Sequence, residues 1–225
     1  MSNYRLTDEQ RQLKEAARRF AEDQLRPIAL EVEAQGGELS RETLKLMAEN
    51  GYVGLDIPPE YGGLGLDTLS CAIILEEISS AWFSAATHSM TLLTGPLLAF
   101  GTEEQKQKYL PGIASGDIIN AFALTEPDAG SDASSIQTFA RQDDDDWIIN
   151  GRKIYITNGA RADLIVLFAR TEKGAPRGGG ITLFLIEKGT PGFSVGQKYD
   201  MMAHTANPVA ELVFDDCRVP SACIL

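Results

Sequence analysis

The chain has 225 residues, of which 44% are hydrophobic and 23% charged, and its formal net charge is -12. This composition is ordinary for a globular protein of one large or two small domains. The acidic balance disfavours binding to nucleic acid or to an anionic membrane surface, and no apolar run reaches the roughly 18 residues of a membrane span. The amino terminus lacks the basic and apolar regions of a secretory signal, so we expect a cytoplasmic protein.

The cysteines and histidines do not have the spacing of metal ligands. An odd number of cysteines without paired spacing is typical of reduced thiols in a cytosolic protein. We therefore expect no metal site. The residues concerned are Cys71, Cys217, Cys223, His88 and His204.

Residues up to about 117 follow a helical pattern. Thr7 and Gln10 have the spacing of a capping box before a run with apolar residues on one face. Pro27 is expected to break this first helix, and a second helical piece ends at Gly36. Further helices are predicted after the caps Ser40, Asp67 and Thr102, and from about 80 to 100 with an interruption near Gly95-Pro96; the last helix stops around Pro111.

From about residue 118, short apolar runs alternate with turns, as in an antiparallel sheet or barrel. Asn150-Gly151 indicates a two-residue hairpin turn, because both residues tolerate positive φ. The sequence thus predicts an α+β fold, with a helical domain over residues 1–117 and a β-barrel-like antiparallel domain over residues 118–225. The predicted strands are 118–124, 136–142, 147–150, 153–157, 163–170, 180–187, 193–199 and 209–214.

The segment that begins at Phe122 and ends at Asp132 carries the densest polar chemistry. It follows an apolar run and turns sharply at Pro127 and Gly130. Main-chain N–H groups in such a turn can hold an anion or the carbonyl edge of a flat ring. The same residue types also make an ordinary surface turn. The segment by itself leaves both interpretations open.

Residues 124–132 resemble the signature of the acyl-CoA dehydrogenases, flavin enzymes of fatty acid metabolism that desaturate acyl-CoA thioesters. The segments 61–65, 101–111, 150–159 and 210–220 also agree with that family in order and spacing. The chain is therefore identified as similar to the first two of the three domains in that family. The resemblance implies that a C-terminal helical domain supplies most of the flavin-clamping face, the subunit contacts and the catalytic base. We expect a fragment, a natural short form or one part of a split protein, which is inactive alone and binds FAD weakly.

The resemblance implies that FAD is the cofactor and an acyl-CoA the substrate, with a hydride passing to flavin N5. It places the Thr125 hydroxyl at the pyrimidine edge and the Thr157 hydroxyl near N5. Tyr155 stands where the family often has Trp and, being two residues from Thr157, is expected to share its strand face. The implied cofactor-binding residues are Phe122, Leu124, Thr125, Gly130, Ser131, Tyr155 and Thr157; the implied substrate-binding residues are Ser131, Met90 and Leu93. Met90 and Leu93 are equally consistent with plain helix core.

Glu126 and Asp132 are not assigned as the catalytic base. Carboxylates in tight turns usually accept main-chain N–H bonds and stay ionised. The loop 204–209 departs from the Arg and small hydroxyl residues usual in the family, which bears on the substrate. The resemblance implies an electron-transfer flavoprotein as acceptor and a homo-oligomer or a complementary C-terminal chain. The alternatives are an acyl-CoA oxidase, a nitroalkane oxidase or a two-component flavin monooxygenase of the same fold, or a non-catalytic binding subunit.

Overall fold

The computed structural model describes residues 5–172, 174–176 and 179–225. The chain divides into two compact units. A helical unit comprises the residues up to Thr94 together with Lys106–Asp117 and Met202–Asn207, and a sheet unit comprises Gly95–Gln105, Ile118–Met201 and Pro208–Leu225. The domain boundary between residues 117 and 118 stays a prediction. Within the described residues, no helix combines the length and the apolar character that crossing a bilayer requires.

Side-chain caps start the helices at the predicted positions. The Thr7 hydroxyl accepts the Gln10 N–H at 3.1 Å, while the Gln10 side chain accepts the Thr7 N–H at 3.0 Å. Thr102 and Gln105 repeat this capping box, which satisfies N–H groups that have no partner inside the helix. The helices are α1 (Asp8–Phe20), α2 (Arg26–Gln35), α3 (Arg41–Glu49), α4 (Thr68–Ala81), α5 (Phe83–Ser89), α6 (Thr94–Phe100) and α7 (Glu103–Ala114).

The prediction that Pro27 breaks the first helix is wrong. A π-helical turn at Ala21–Leu25 connects α1 to α2, so the chain stays helical until Gly36 ends it at φ 62°. Pro27 lies at the start of α2, directly after the π turn, and this irregular turn accommodates the proline within a continuous helix. Pro96 and Pro111 likewise lie inside α6 and α7, and the predicted interruption near Gly95 lies at residues 90–93 instead.

Both histidines of the chain hold one loop of the helical unit. His88 Nε2 and the Asn207 side-chain oxygen are 3.0 Å apart, and the Asn207 amide donates to the Ser84 carbonyl at 2.7 Å. His204 Nδ1 lies 3.1 Å from the Ser84 hydroxyl, and its ring packs on Phe83 with 4.9 Å between centroids. The loop that contains His204 and Asn207 is thus fixed to α5 by side-chain hydrogen bonds and a ring contact.

Protonation of His204 is expected to destabilise the fold. Burial lowers the pKa of His204, and the nearby Glu33 carboxylate opposes that shift without cancelling it. A histidine with a lower pKa in the folded than in the unfolded state contributes stability that is present above about pH 6.5 and is lost as the pH falls through the folded value. We expect the urea midpoint to fall as the pH drops from about 6.5 to 5. His204→Asn, which tolerates the φ of 64°, should flatten that profile; an unchanged fall would contradict the assignment.

The sheet unit contains a mixed sheet, with strand order β1-β4-β2-β3-β7-β6 and with β5 beside β4. A helical region followed by a sheet is the predicted fold class, which is confirmed. The sheet departs from the predicted all-antiparallel arrangement because β1 runs parallel to β4 and β2 meets β4 in parallel at one residue pair. The strands are β1 (Asn120–Ala123), β2 (Phe139–Asp143), β3 (Asp146–Thr157), β4 (Leu164–Arg170), β5 (Ile181–Glu187), β6 (Phe193–Tyr199) and β7 (Val209–Pro220).

The prediction of a hairpin turn at Asn150-Gly151 is also wrong, because β3 runs through both residues as one strand. The turn between β2 and β3 contains Asp144, whose φ is 56°. Gly151 has φ 153°, and a Cβ at this position would lie 2.7 Å from the Thr138 Cα. Glycine is therefore required here by the close approach of the neighbouring chain, not by a turn.

Candidate cofactor site in the sheet unit

β1 presents one aromatic side chain between two core alanines. Ala121 and Ala123 are buried, whereas Phe122 is half-buried and its ring lies against Phe168 with 4.8 Å between centroids. This is the alternation of a strand with one face on the core. Leu124 and Thr125 follow directly and are half-buried.

A buried lysine of β3 fixes the chain where β1 ends. The side chain of Lys153 is 0% exposed, and Nζ donates to the Leu124 carbonyl at 2.9 Å and to Glu126 Oε1 at 2.7 Å. The next residue, Ile154, donates its N–H to the Thr125 carbonyl at 2.9 Å. A buried ammonium is costly unless it is paired and hydrogen-bonded, and here it is both.

Glu126 serves as an acceptor at the centre of the turn. Besides Lys153, its carboxylate accepts the main-chain N–H groups of Gln137 and Thr138, the latter at 3.0 Å. Burial raises the pKa of Glu126, but the Gln137 N–H and the Lys153 ammonium outweigh it, so the pKa lies below its usual value. The carboxylate is ionised and fully engaged at neutral pH, which agrees with its interpretation as a turn residue.

The tip of the turn carries Gly130 and Ser131, and both are exposed. Glu126 and Ala129 exchange main-chain hydrogen bonds of 2.9 and 3.2 Å, which close the turn below the tip. Gly130 does not have left-handed φ, and a Cβ on it would have no described atom within 4 Å. Neither the backbone nor the packing of the described chain requires glycine at this position. The Asp132 carboxylate accepts from the hydroxyl of Ser135 at 2.6 Å.

A β-bulge places Tyr155 on the outer face of β3. Lys153 pairs with Leu212 and Ile156 with Ala210, so two residues of β3 oppose one residue of β7. Without the bulge, Tyr155 would share the inward face of Lys153, since side chains alternate with period two. The bulge shifts that alternation, so the buried Ile156 takes the core position between Tyr155 and Thr157.

The Tyr155 ring is available to a ligand although the backbone beneath it is strained. Tyr155 has φ 55° and is 59% exposed. A bulky residue with positive φ is rare and marks a position where the surrounding structure imposes the conformation. Its ring lies against Tyr199 with 4.6 Å between centroids. This support leaves an aromatic surface exposed beside Thr157.

Several polar groups around these residues lack partners. The hydroxyls of Thr125, Ser131 and Thr157 have no hydrogen-bonding partner among the residues that the structure describes; Ser131 is exposed, and Thr125 and Thr157 are half-buried. Asn158, which follows Thr157 with φ 61°, is buried, and its side-chain oxygen has no partner within the described part of the chain. A buried acceptor without a donor is unfavourable, so a donor from a bound group would stabilise it.

Sequence reasoning missed Lys153 and Asn158. A lysine between apolar strand residues signals burial only if its partner is known, and Glu126 lies 27 residues away. Asn158 carried no signal beyond its place in the segment that resembles the family.

The two predicted substrate-binding residues of the helical unit have different surroundings. Met90 ends α5 and is 41% exposed, whereas Leu93, in the turn before α6, is fully buried. Their contact with an acyl chain stays a prediction. Of the two side chains, Met90 has surface that a ligand can contact.

The comparisons with known proteins specify the family to which this combination of a helical unit and a sheet unit belongs. Residues 7–117 match the acyl-CoA dehydrogenase N-terminal domain, and residues 121–217 match the acyl-CoA dehydrogenase middle domain. The chain therefore belongs to the acyl-CoA dehydrogenase family of oxidoreductases, as its motifs predict.

Known relatives cover the whole chain but extend well beyond it. The acryloyl-CoA reductase (NADH) of Anaerotignum propionicum is 42% identical over 229 residues, which are 99% of this chain and 57% of that protein. In the structure of the electron transferring flavoprotein of Acidaminococcus fermentans, one chain matches with TM-score 0.90 and 42% identity over 100% of this chain and 59% of its own length. Glutaryl-CoA dehydrogenase of Mycobacterium smegmatis in complex with FADH2 matches with TM-score 0.87 and 31% identity, over 97% of this chain and 55% of that one. The chain thus spans a little over half the length of these relatives.

Proposed function

We propose that this chain forms the part of an FAD-dependent acyl-CoA dehydrogenase that holds one side of the flavin. The observation that carries the proposal is Tyr155, an exposed aromatic ring held at positive φ by a bulge, beside the unpartnered hydroxyl of Thr157. Strained, exposed residues of this kind concentrate at functional sites. The FADH2 bound to the related glutaryl-CoA dehydrogenase supports flavin as the ligand.

The chemistry of the described residues fits a flavin. An aromatic face such as that of Tyr155 stacks on a flat ring system, and the hydroxyls of Thr125 and Thr157 can donate to or accept from polar ring atoms. Gly130 and Ser131 would meet the pyrophosphate, because a residue without Cβ lets the main chain approach a ligand closely. Phe122 and the main chain of Leu124 would complete the contact along β1.

When bound, FAD supplies the chemistry by accepting the hydride that leaves the acyl chain. The residues of this chain bind and orient. Ser131, Met90 and Leu93 are proposed to contact the acyl-CoA, and of these Leu93 is fully buried in the described chain. We assign proton removal to no residue of this chain, since the Glu126 carboxylate is fully engaged with Lys153 and two main-chain donors.

The proposal extends to partners and location. We propose an electron-transfer flavoprotein as the electron acceptor, supported by the match to a chain in the structure of such a flavoprotein. We further propose a homo-oligomer or a complementary C-terminal chain as the complete enzyme, and a cytoplasmic location. The net charge of -12 disfavours anionic ligands except where a local pocket has a different field. We therefore expect acyl-CoA to be bound through specific local contacts.

The similarity to an acryloyl-CoA reductase favours a second candidate function, in which the same site reduces an unsaturated acyl-CoA. Mixing the complete, flavin-loaded protein with butyryl-CoA or with acryloyl-CoA distinguishes the two. Bleaching of the oxidised flavin by butyryl-CoA supports the dehydrogenase, whereas preferential reoxidation of reduced flavin by acryloyl-CoA supports the reductase. Fast reoxidation by oxygen would instead indicate an oxidase or monooxygenase.

Gly130→Ala tests the proposed cofactor contact. We expect the free energy of unfolding to change by no more than about 0.5 kcal/mol, because the added Cβ meets open space. FAD binding, followed by the absorption spectrum and by quenching of flavin fluorescence, should weaken by about tenfold, which corresponds to about 1.4 kcal/mol.

Gly37→Ala is the matched control. Gly37 lies in the helical unit, and the nearest atom to an added Cβ is at an ordinary 3.5 Å, so this variant should bind FAD like the parent chain. The proposal is contradicted if the parent shows no binding at about 1 mM FAD, the weak end of specific affinity, or if Gly130→Ala binds as well as the parent.

A further inference from the structure

The ion pair between Lys153 and Glu126 contacts both parts of the proposed cofactor site, which are the turn that follows β1 and the bulge in β3. We propose that Lys153 and Glu126 are positioning residues that set the shape of the 124–138 segment, and with it the main chain that faces the cofactor. This inference rests on the proposed function for its cofactor, but its structural part can be tested without FAD.

The pair closes the turn from both ends. At the start of the segment, Lys153 Nζ donates to the Leu124 carbonyl at 2.9 Å and to Glu126 Oε1 at 2.7 Å. At its end, the same carboxylate accepts the N–H groups of Gln137 and Thr138. One ammonium and one carboxylate therefore define the separation of the two chain ends that carry Gly130 and Ser131 between them.

The same lysine marks the start of the bulge that exposes Tyr155. Lys153 lies in the core, Ile154 donates its N–H to the Thr125 carbonyl at 2.9 Å, and Ile156 returns to the core. The turn is thus attached to β3 through the Lys153 side chain and through the adjacent main chain. A shift of Lys153 would move the Thr125 hydroxyl and the Tyr155 ring relative to each other.

Stability alone does not explain a buried ion pair at this place. A buried pair can often be exchanged for neutral groups of similar volume without loss of stability, because burial removes both charges from water. The side chains of Lys153 and Glu126 are 0% and 4% exposed, so the exchange removes little solvation. A neutral pair that keeps the fold but loses the turn geometry would separate positioning from stability.

The test uses the double variant Lys153→Met with Glu126→Gln, which keeps both volumes and one amide oxygen, so that one of the two N–H groups of Gln137 and Thr138 keeps its acceptor. Hydrogen exchange at the Ala129 amide, which donates to the Glu126 carbonyl at 3.2 Å, reports the closed turn. We expect a cooperative unfolding transition near that of the parent, Ala129 exchange at least about tenfold faster, and FAD bound about tenfold more weakly. Ile186→Ala, a core truncation on β5, is the control that lowers stability without touching the turn.

The exchange data decide the inference and the FAD data decide the proposed function. Faster Ala129 exchange in the double variant, but not in Ile186→Ala, supports positioning even if the parent binds no FAD. Parent-like exchange in the double variant, or equal acceleration in Ile186→Ala, overturns it. If the double variant does not fold, Glu126→Gln alone is measured in the same way, and parent-like Ala129 exchange in that variant overturns the inference.

Discussion

Replacing Glu126 with alanine is expected to lower the free energy of unfolding of the chain by about 3–5 kcal/mol, the cost of leaving one partner of a buried ion pair alone. The variant leaves the Lys153 ammonium, which is 0% exposed, with the Leu124 carbonyl as its remaining acceptor. It also removes the acceptor of the Gln137 and Thr138 N–H groups. Urea unfolding followed by circular dichroism at pH 7 measures the loss.

A double-mutant cycle separates the ion pair from the volume lost with the glutamate side chain. If the unpaired ammonium is the main cost, Glu126→Ala combined with Lys153→Met should be more stable than Glu126→Ala alone, because no charge stays buried. Glu126→Gln should fall between the parent and the alanine variant, since an amide keeps an acceptor. A loss below about 1 kcal/mol for Glu126→Ala would mean that water reaches the ammonium and that the pair is not buried in solution.

Gly151→Ala is expected to destabilise the sheet unit by about 3 kcal/mol or more, which combines overpacking with backbone strain. The new Cβ would lie 2.7 Å from the Thr138 Cα, and main chain cannot move aside as a flexible side chain can. The φ of 153° adds strain for any residue with a side chain. The free energy of unfolding from urea denaturation is the measurement, with thermal unfolding as a second probe.

Two control variants test whether the loss of stability arises from the close contact at Gly151. Gly130→Ala is the same chemical change at a site with open space, and it should leave the stability unchanged. Thr138→Ala removes the hydroxyl near Gly151 but not the Thr138 Cα, so it should rescue Gly151→Ala only in part. Full rescue, or a loss below about 1 kcal/mol for Gly151→Ala, would show that β3 and the 136–138 segment do not approach as closely as described.

The helix starts and the fold class could be predicted from the sequence because they depend on neighbours along the chain. A Thr or Asp side chain caps N–H groups two or three residues away, so Thr7, Ser40 and Asp67 signal helices without any knowledge of the fold. Strand periodicity is equally local, and most predicted strands lie close to the observed ones, although the predicted strands 147–150 and 153–157 form the single strand β3 and β7 continues to Pro220. The family and the proposed cofactor-binding residues came from motif resemblance, which also needs no coordinates.

The predictions from the sequence were wrong where contacts with distant segments determine the local structure. Pro27 is accommodated by a π turn, and Asn150-Gly151 lies inside a strand because Gly151 meets Thr138 rather than forming a hairpin. The parallel pairing of β1 with β4 joins strands about 40 residues apart, a relation that no local pattern encodes.

The candidate site divides in the same way. The sequence by itself determined which residue types line the turn and strand, including Thr125, Gly130 and Tyr155, because these belong to contiguous motifs. Only the tertiary structure decided that Lys153 is buried against Glu126 and that a bulge turns Tyr155 outward. Both outcomes depend on contacts between segments far apart in the chain. These contacts determine the free-energy cost of burying a charge and the register of two strands.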